Sequence, residues 1–217
     1  MNKIRKILTD QRKATYLLLL FYAVGVAGMV FDLTRPLFIQ LIPFALLLST
    51  FLLILNHKGT KSLRMAIVFA VLYLAGYFIE VLGVNTGLIF GEYSYGSGLG
   101  WKELNTPLMI GVNWVVLVYT SAAILQSAGW KTPAVVIGGA TMMLIYDLIL
   151  EQVAPLMDMW TWSASVVPTQ NYVSWWIIAA FMHLIVAMNR LKFNNKLALS
   201  VILIQYIFFT IIYLLVK

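Results

Sequence analysis

Seven long apolar runs, separated by short polar connections, dominate the 217-residue chain. A helix needs about 20 mainly apolar residues to cross a bilayer. Only 11% of the residues are charged, against roughly 25% in ordinary globular domains. These runs therefore predict an all-α polytopic membrane protein with about seven transmembrane helices in a single domain, residues 1–217. The predicted spans are residues 15–31, 36–55, 64–84, 107–127, 133–154, 172–190 and 196–216.

The distribution of Lys and Arg predicts the orientation of these helices. Twelve of the 15 basic residues fall in the N-terminal segment and in alternate connections, whereas Arg35, Lys102 and Lys217 fall on the other side. Cytoplasmic segments carry the excess of Lys and Arg, so the N-terminus is predicted inside and the C-terminus outside. The net charge of +7 is then a topology signal and a weak contact with the lipid surface, and does not indicate nucleic-acid binding.

Three acidic residues lie inside predicted helices, near their outer ends. At 1.5 Å per residue, Glu80 lies about 24 Å from the predicted start of its helix, and Asp147 lies about 21 Å from the start of another. Glu151 is one turn beyond Asp147. Carboxyls at this depth are costly unless they face the bundle interior. Because like charges repel when they are close together and away from water, at least one of these carboxyls is expected to keep its proton and to serve as a general acid. The alternatives are helix–helix hydrogen bonds for Glu80 and Asp147, and solvation for Glu151.

Aromatic and amide side chains are predicted near the same outer level. Aromatic faces stabilise a carbocation by roughly 0.5–2 kcal/mol each, so an acid among them suits protonation of an isoprenoid double bond. Asn113 and Asn171 either orient a carboxyl or water, or bridge helices. Trp160 is interpreted as an interface anchor. The Gly- and Tyr-rich connection 85–106 is predicted to fold back as a lid. The aromatic residues predicted to line the site are Tyr93, Tyr95, Trp114, Trp162, Tyr172, Trp175 and Trp176.

Two sets of motifs carry a family resemblance. The first is EVLGVNTGLIFGEYSY (residues 80–95), followed by LGWK (residues 99–102) and Pro107. The second is DLILEQVA (residues 147–154), followed by WTW (residues 160–162) and PTQNYVSW (residues 168–175). Over residues 64–190 the chain resembles the bacterial and archaeal membrane carotenoid-biosynthesis proteins. These include carotenoid 1,2-hydratases that act on γ-carotene, lycopene or bisanhydrobacterioruberin.

The resemblance implies hydration of a ψ end group: a proton adds to the terminal double bond, and water captures the tertiary cation. No flavin, nicotinamide or metal is called for. The resemblance leaves open whether Asp147 or Glu80 delivers the proton. Glu151, with Asn171 or Tyr93, is expected to hold the water. The remaining substrate-binding candidates are Tyr95, Asn113, Trp114, Trp162, Tyr172 and Trp175.

The implied partners are a carotenoid such as lycopene or γ-carotene, the lipid bilayer of a bacterial or archaeal cell (inner) membrane, and other carotenoid enzymes. Two alternatives stay open: a carotenoid end-group cyclase and a non-catalytic carotenoid-binding protein. A metal-dependent prenyl transferase is less favoured because a second Asp-rich motif is missing from the sequence. A retinal protein needs a lysine inside a span to form the Schiff base. The last helix has lysine only at its ends, Lys196 and Lys217, so this alternative is rejected.

Overall fold

Helices form nearly all of the protein. The computed structural model describes residues 3–59 and 61–216, without the side chains of residues 3, 4 and 7. The predicted outer Lys217 therefore lies outside the described residues. The helices are α1 (Lys3–Leu8), α2 (Gln11–Val30), α3 (Arg35–Gln40), α4 (Ile42–Asn56), α5 (Leu63–Thr86), α6 (Leu108–Ser127), α7 (Thr132–Val153), α8 (Thr169–Met188) and α9 (Leu197–Leu215).

Six of the helices in the described ranges, α2 and α5 to α9, are long and apolar enough to cross a membrane. The all-α polytopic prediction is thus confirmed. The second predicted span, residues 36–55, differs from expectation because it is interrupted at Leu41 between α3 and α4. Pro43 explains the interruption, since proline has no N–H and its ring would clash with the carbonyl of Ile39 in a continuous helix. The remaining helix α4 has 15 residues.

Helix α6 lies at the centre of the bundle. It packs against α4, α5, α7, α8 and α9, and most of its side chains are buried. The peripheral helices instead expose large apolar side chains such as Leu20, Phe78 and Phe181. An apolar exterior is what a bilayer requires, so polar groups are satisfied in the interior, around α6.

The two long connections at the predicted outer end form a small antiparallel sheet. Strand β1 (Tyr93–Tyr95) belongs to the connection between α5 and α6, which also contains a short hairpin of β2 (Lys102–Glu103) and β3 (Thr106–Pro107). Strand β4 (Trp160–Trp162) belongs to the connection between α7 and α8 and pairs with β1. In this register Tyr93 lies opposite Trp162, and Tyr95 lies opposite Trp160.

A carboxylate and a glycine fix this sheet to the turn before β4. The backbone N–H of Ser97 donates to Asp158 Oδ2 at 2.8 Å, and the Ser97 hydroxyl donates to the same oxygen. Gly98 lies so close to the turn that a Cβ there would come within 2.3 Å of the Met157 carbonyl oxygen. The two connections therefore form one unit over the end of the bundle.

Candidate active site

Three carboxyls meet in the interior below this sheet. Glu80 on α5 is 3% exposed, while Asp147 and Glu151 on α7 are 0% and 5% exposed. Asp147 and Glu151 are one turn apart on the same face of α7, as the sequence predicts. All three side chains face protein rather than lipid, in agreement with the cost of ionisable groups in hydrocarbon.

Glu80 accepts three hydrogen bonds. The hydroxyls of Tyr93 and Tyr95 donate to Oε2, each at 2.7 Å, and Trp114 Nε1 donates to Oε1 at 3.1 Å. Both tyrosines point the same way because alternate residues of a strand share a face. Burial, followed by the charge of Glu80, raises the pKa of Tyr93 and of Tyr95, which both lie outside the spanning helices. Each phenol therefore keeps a proton to donate.

Close approach of α5 and α6 brings Trp114 to Glu80. Gly76 is one turn before Glu80, and a Cβ at Gly76 would lie 2.7 Å from the Trp114 side chain. Trp114 also stacks on Trp175 of α8, with 4.1 Å between ring centroids. The glycine thus allows an indole N–H to reach a buried carboxyl, and the stacking fixes the orientation of that indole.

Glu151 accepts three N–H hydrogen bonds. Trp160 and Trp162 of β4 donate their Nε1 protons to Oε2 at 3.0 and 2.7 Å, and Asn171 Nδ2 donates to Oε1 at 3.2 Å. Indole and amide N–H groups donate but cannot accept a hydrogen bond. The partners of Glu151 therefore fit an oxygen that accepts.

Asp147 shares the amide of Asn171 with Glu151. Asn171 Nδ2 donates to Asp147 Oδ2 at 3.1 Å, so its two amide protons serve both acids. Asp147 Oδ1 is buried and has no hydrogen-bond partner within the described part of the chain. Asn171 thus links the two acids of α7 to α8.

A small cavity of about 20 Å³ lies between the acids. Glu80 and Glu151 both line it, whereas Asp147 does not. A cavity needs roughly 10–15 Å³ of such volume to hold one water molecule, so this acidic pocket has room for about one. Its other lining residues are Phe90, Tyr93, Tyr95, Ile110, Trp160, Trp162, Asn171 and Trp175.

A larger cavity of about 220 Å³ adjoins the acidic pocket. It lies between α2, α4 and α9 on one side and α6 and α7 on the other, and its lining is mostly apolar. Ile110 and Trp160 line both cavities, so these two side chains form the boundary between them. An apolar chamber thus meets a carboxyl-lined pocket large enough for water.

The structure brings together most of the predicted site residues. Trp114 donates to Glu80 but does not itself line the acidic pocket. The predicted site residues that line this pocket, besides the two glutamates, are Tyr93, Tyr95, Trp162, Asn171 and Trp175. Asn113 instead lines the apolar cavity, while Tyr172 and Trp176 line neither of the two.

The interpretation of Trp160 as an interface anchor is wrong. Its side chain is buried, lines both cavities and donates to Glu151. The spacing of WTW contained the signal, because Trp160 and Trp162 share one face of a strand.

No group of three His, Asp or Glu side chains within residues 3–59 and 61–216 is placed to hold a metal ion. The polar groups of the acidic pocket are the two glutamates and the donors from tyrosine, tryptophan and asparagine. This set suits proton transfer and the binding of a small neutral molecule such as water.

Comparison with known proteins adds two findings. A family model described as "Carotenoid biosynthesis protein" matches residues 37–217. The chain is also similar to a bisanhydrobacterioruberin hydratase of Haloarcula japonica, at 30% identity over 146 residues, which cover 61% of this chain and 50% of that protein. The chain thus spans about half the length of this curated relative. No solved structure matches the chain.

Proposed function

Because the chain belongs to the carotenoid biosynthesis protein family, we propose that it is a carotenoid hydratase of a bacterial or archaeal cell membrane. The reaction is addition of water to the terminal 1,2 double bond of a ψ end group. One observation carries the proposal: a pocket with room for about one water, lined by Glu80 and Glu151, adjoins a large apolar cavity. The name of the similar archaeal protein, a hydratase, supports the same class of reaction.

The partners of the two glutamates suggest their roles. Glu80 contacts two phenols, which either donate or accept a hydrogen bond, so it retains partners with or without a proton. Glu80 is therefore the proposed proton donor. Glu151 contacts N–H groups that only donate, which suits a carboxylate that takes a proton from water. Asp147 is a positioning residue that acts through Asn171.

The proposed steps balance without a cofactor. Glu80 transfers its proton to one alkene carbon, and the other becomes a tertiary cation beside the aromatic wall. The water in the pocket adds to the cation, and its proton passes to Glu151. Return of this proton to Glu80 through a new water or the phenols restores the starting state. Aromatic faces near the cation contribute roughly 0.5–2 kcal/mol each.

The test is expression in cells that accumulate lycopene, followed by mass analysis of the pigments. The wild-type chain is expected to add one water per reacted end. Glu80→Gln and Glu151→Gln should abolish the product because each removes a proton-transfer group, and Asp147→Asn should lower it. Glu92→Gln is the matched control, since Glu92 is an exposed acid in the same connection as Tyr93.

The same assay separates the alternative functions. A cyclic product of unchanged mass would indicate an end-group cyclase, in which an internal double bond captures the cation. Bound pigment without any chemical change would indicate a carotenoid-binding protein. Full activity of both Glu80→Gln and Glu151→Gln would refute the proposed mechanism.

A further inference from the structure

The cavity of about 220 Å³ is bordered by side chains that are exposed on the outside of the bundle. Val24 on α2 and Leu41 between α3 and α4 both line it, and they are 52% and 36% exposed. Val24 lies on α2, and Leu41 lies at the junction of α3 and α4; large apolar side chains such as Leu20 and Phe44 are exposed on these segments. A hydrocarbon chain therefore has a path from the lipid into the cavity that crosses no polar surface.

One side of the cavity borders the acidic pocket. Ile110 and Trp160 belong to the lining of both cavities. A chain that fills the apolar cavity would thus bring its terminal double bond to Ile110 and Trp160, at the border of the pocket that Glu80 and Glu151 line, while the rest of the chain extends toward the bilayer. This adjacency favours the substrate over a lipid acyl chain as the occupant.

Asn113, a polar side chain that lines the cavity, has no hydrogen-bond partner among the described residues. Asn113 is 9% exposed, lines the cavity, and makes no hydrogen bond to the described residues through its amide. The neighbouring polar groups are occupied: Gln205 Nε2 donates to Tyr22 Oη at 3.1 Å, and Tyr146 Oη donates to Gln205 Oε1 at 3.2 Å. Buried amides are normally paired. Asn113 is therefore available to a polar group of a ligand.

The position of Asn113 indicates which ligand group it meets. Asn113 follows Ile110 by three residues on α6, so the two side chains share one helix face. Ile110 borders the acidic pocket, where the hydroxyl would form. A tertiary alcohol both donates and accepts, as does an amide.

We propose that the apolar cavity binds the isoprenoid chain of the carotenoid and that Asn113 hydrogen-bonds the hydroxyl introduced by hydration. This inference rests on the proposed function. The bound alkene makes no use of Asn113, whereas the product does. Asn113 thus distinguishes the alcohol from the hydrocarbon within one binding site.

The cavity is tested by filling it. Ala45 on α4 lines the cavity, whereas Leu47 on the same helix is 43% exposed and does not. In the Glu80→Gln background, where no turnover is expected, lycopene binding to detergent-solubilised protein is followed by quenching of tryptophan fluorescence. Ala45→Phe should weaken binding at least tenfold, Ala45→Val should weaken it less, and Leu47→Phe should leave it unchanged.

The outcomes separate this inference from the proposed function. Unchanged lycopene affinity in Ala45→Phe and Ala45→Val would overturn the assignment of the cavity, and would indicate that a lipid or nothing specific fills it. If lycopene binding depends on Ala45 but the wild-type chain forms no hydrated product, the proposed hydratase activity is refuted and the assignment of the binding site is supported.

Asn113 is tested by comparing two ligands in one variant. Asn113→Leu preserves the approximate size of the side chain and removes its hydrogen bonds. The affinity for 1-hydroxylated lycopene should fall about two- to tenfold, as expected for one hydrogen bond. The affinity for lycopene, which also reports intact folding, should not fall. An equal change for both ligands, or none for the alcohol, would overturn the role of Asn113.

Discussion

Two buried glutamates carry different kinds of hydrogen-bond partner. Glu80 is surrounded by two phenols and one indole, whereas Glu151 is surrounded by two indoles and one amide. A phenol adapts to a change in protonation, while an indole N–H only donates. Residues of the same type thus acquire different chemical properties from their neighbours.

Trp162→Phe tests the importance of a single indole N–H. The ring that packs against Tyr93, with 5.1 Å between centroids, is largely retained, but the 2.7 Å hydrogen bond to Glu151 is lost. The N–H also fixes the orientation of the Glu151 carboxyl at the pocket, so its loss should lower product formation severalfold. The measurement is hydroxylated carotenoid per amount of membrane-inserted protein.

Trp101→Phe is the control for this substitution. Trp101 is 75% exposed, and its N–H donates only to the exposed Glu103. The Trp101→Phe variant should form as much product as the wild type. Equal activity of the Trp162 and Trp101 variants would show that the N–H at Glu151 has no part in the reaction.

At the scale of elements, the β1–β4 sheet performs the most specific task. Its four inward side chains supply two donors to Glu80 from β1 and two to Glu151 from β4. The pairing of β1 with β4 therefore determines the separation of the two sets of donors. The helices provide the carboxyls, and the sheet provides four donors to Glu80 and Glu151, beside Trp114 of α6 and Asn171 of α8.

Asp158 is predicted to stabilise this sheet in a pH-dependent manner. Hydrogen bonds from the Ser97 hydroxyl and backbone N–H lower the pKa of Asp158 below its usual value of about 3.9. Because the folded-state pKa is the lower one, the stabilisation is complete above about pH 4 and is lost as the pH falls through the folded pKa. Susceptibility to an acid-active protease should therefore rise only below about pH 4.

Asp158→Ala should produce the same loosening at neutral pH. Trypsin cleavage at Lys102, in the connection attached to Asp158, should become severalfold faster in detergent-solubilised protein. Asp32→Ala is the control, since Asp32 is a largely exposed acid paired with Arg35 away from the sheet. Equal cleavage rates in the two variants would contradict the proposed stabilisation.

The helices and the buried acids were predictable because their signals are local. A run of apolar residues defines a span, and a carboxyl inside that run has no stable place except the interior. The pairing of Tyr93 with Trp162 was not predictable, since the strands are three residues long and far apart in sequence. The apolar cavity also escaped prediction, because its lining comes from helices that sequence order does not place together.

At the scale of the whole molecule, the candidate site lies at one end of the bundle. The acids, the sheet and both cavities involve the ends of the helices that are predicted outside. The opposite end carries most of the Lys and Arg residues. The basic residues that predict the orientation therefore lie at one end of the bundle, and the candidate site lies at the other.

This orientation is testable because the sequence contains no cysteine. Two exposed positions are suited to a single cysteine: Ala164, in the connection after β4, and Lys61, in the connection before α5. In intact cells, a membrane-impermeant maleimide should label Ala164→Cys and should label Lys61→Cys only after permeabilisation. The opposite pattern would reverse the predicted topology.

The size of the acidic pocket has a consequence for how the two reactants arrive. In the proposed reaction each turnover would consume the one water for which the acidic pocket has room, and the lining of the neighbouring cavity is mostly apolar. Replacement water would then come from the aqueous phase on the side of the sheet, while the hydrocarbon would come from the lipid. At saturating carotenoid, an osmolyte that depresses water activity should then slow the proposed turnover in proportion to the water activity, while the carotenoid stays in the membrane.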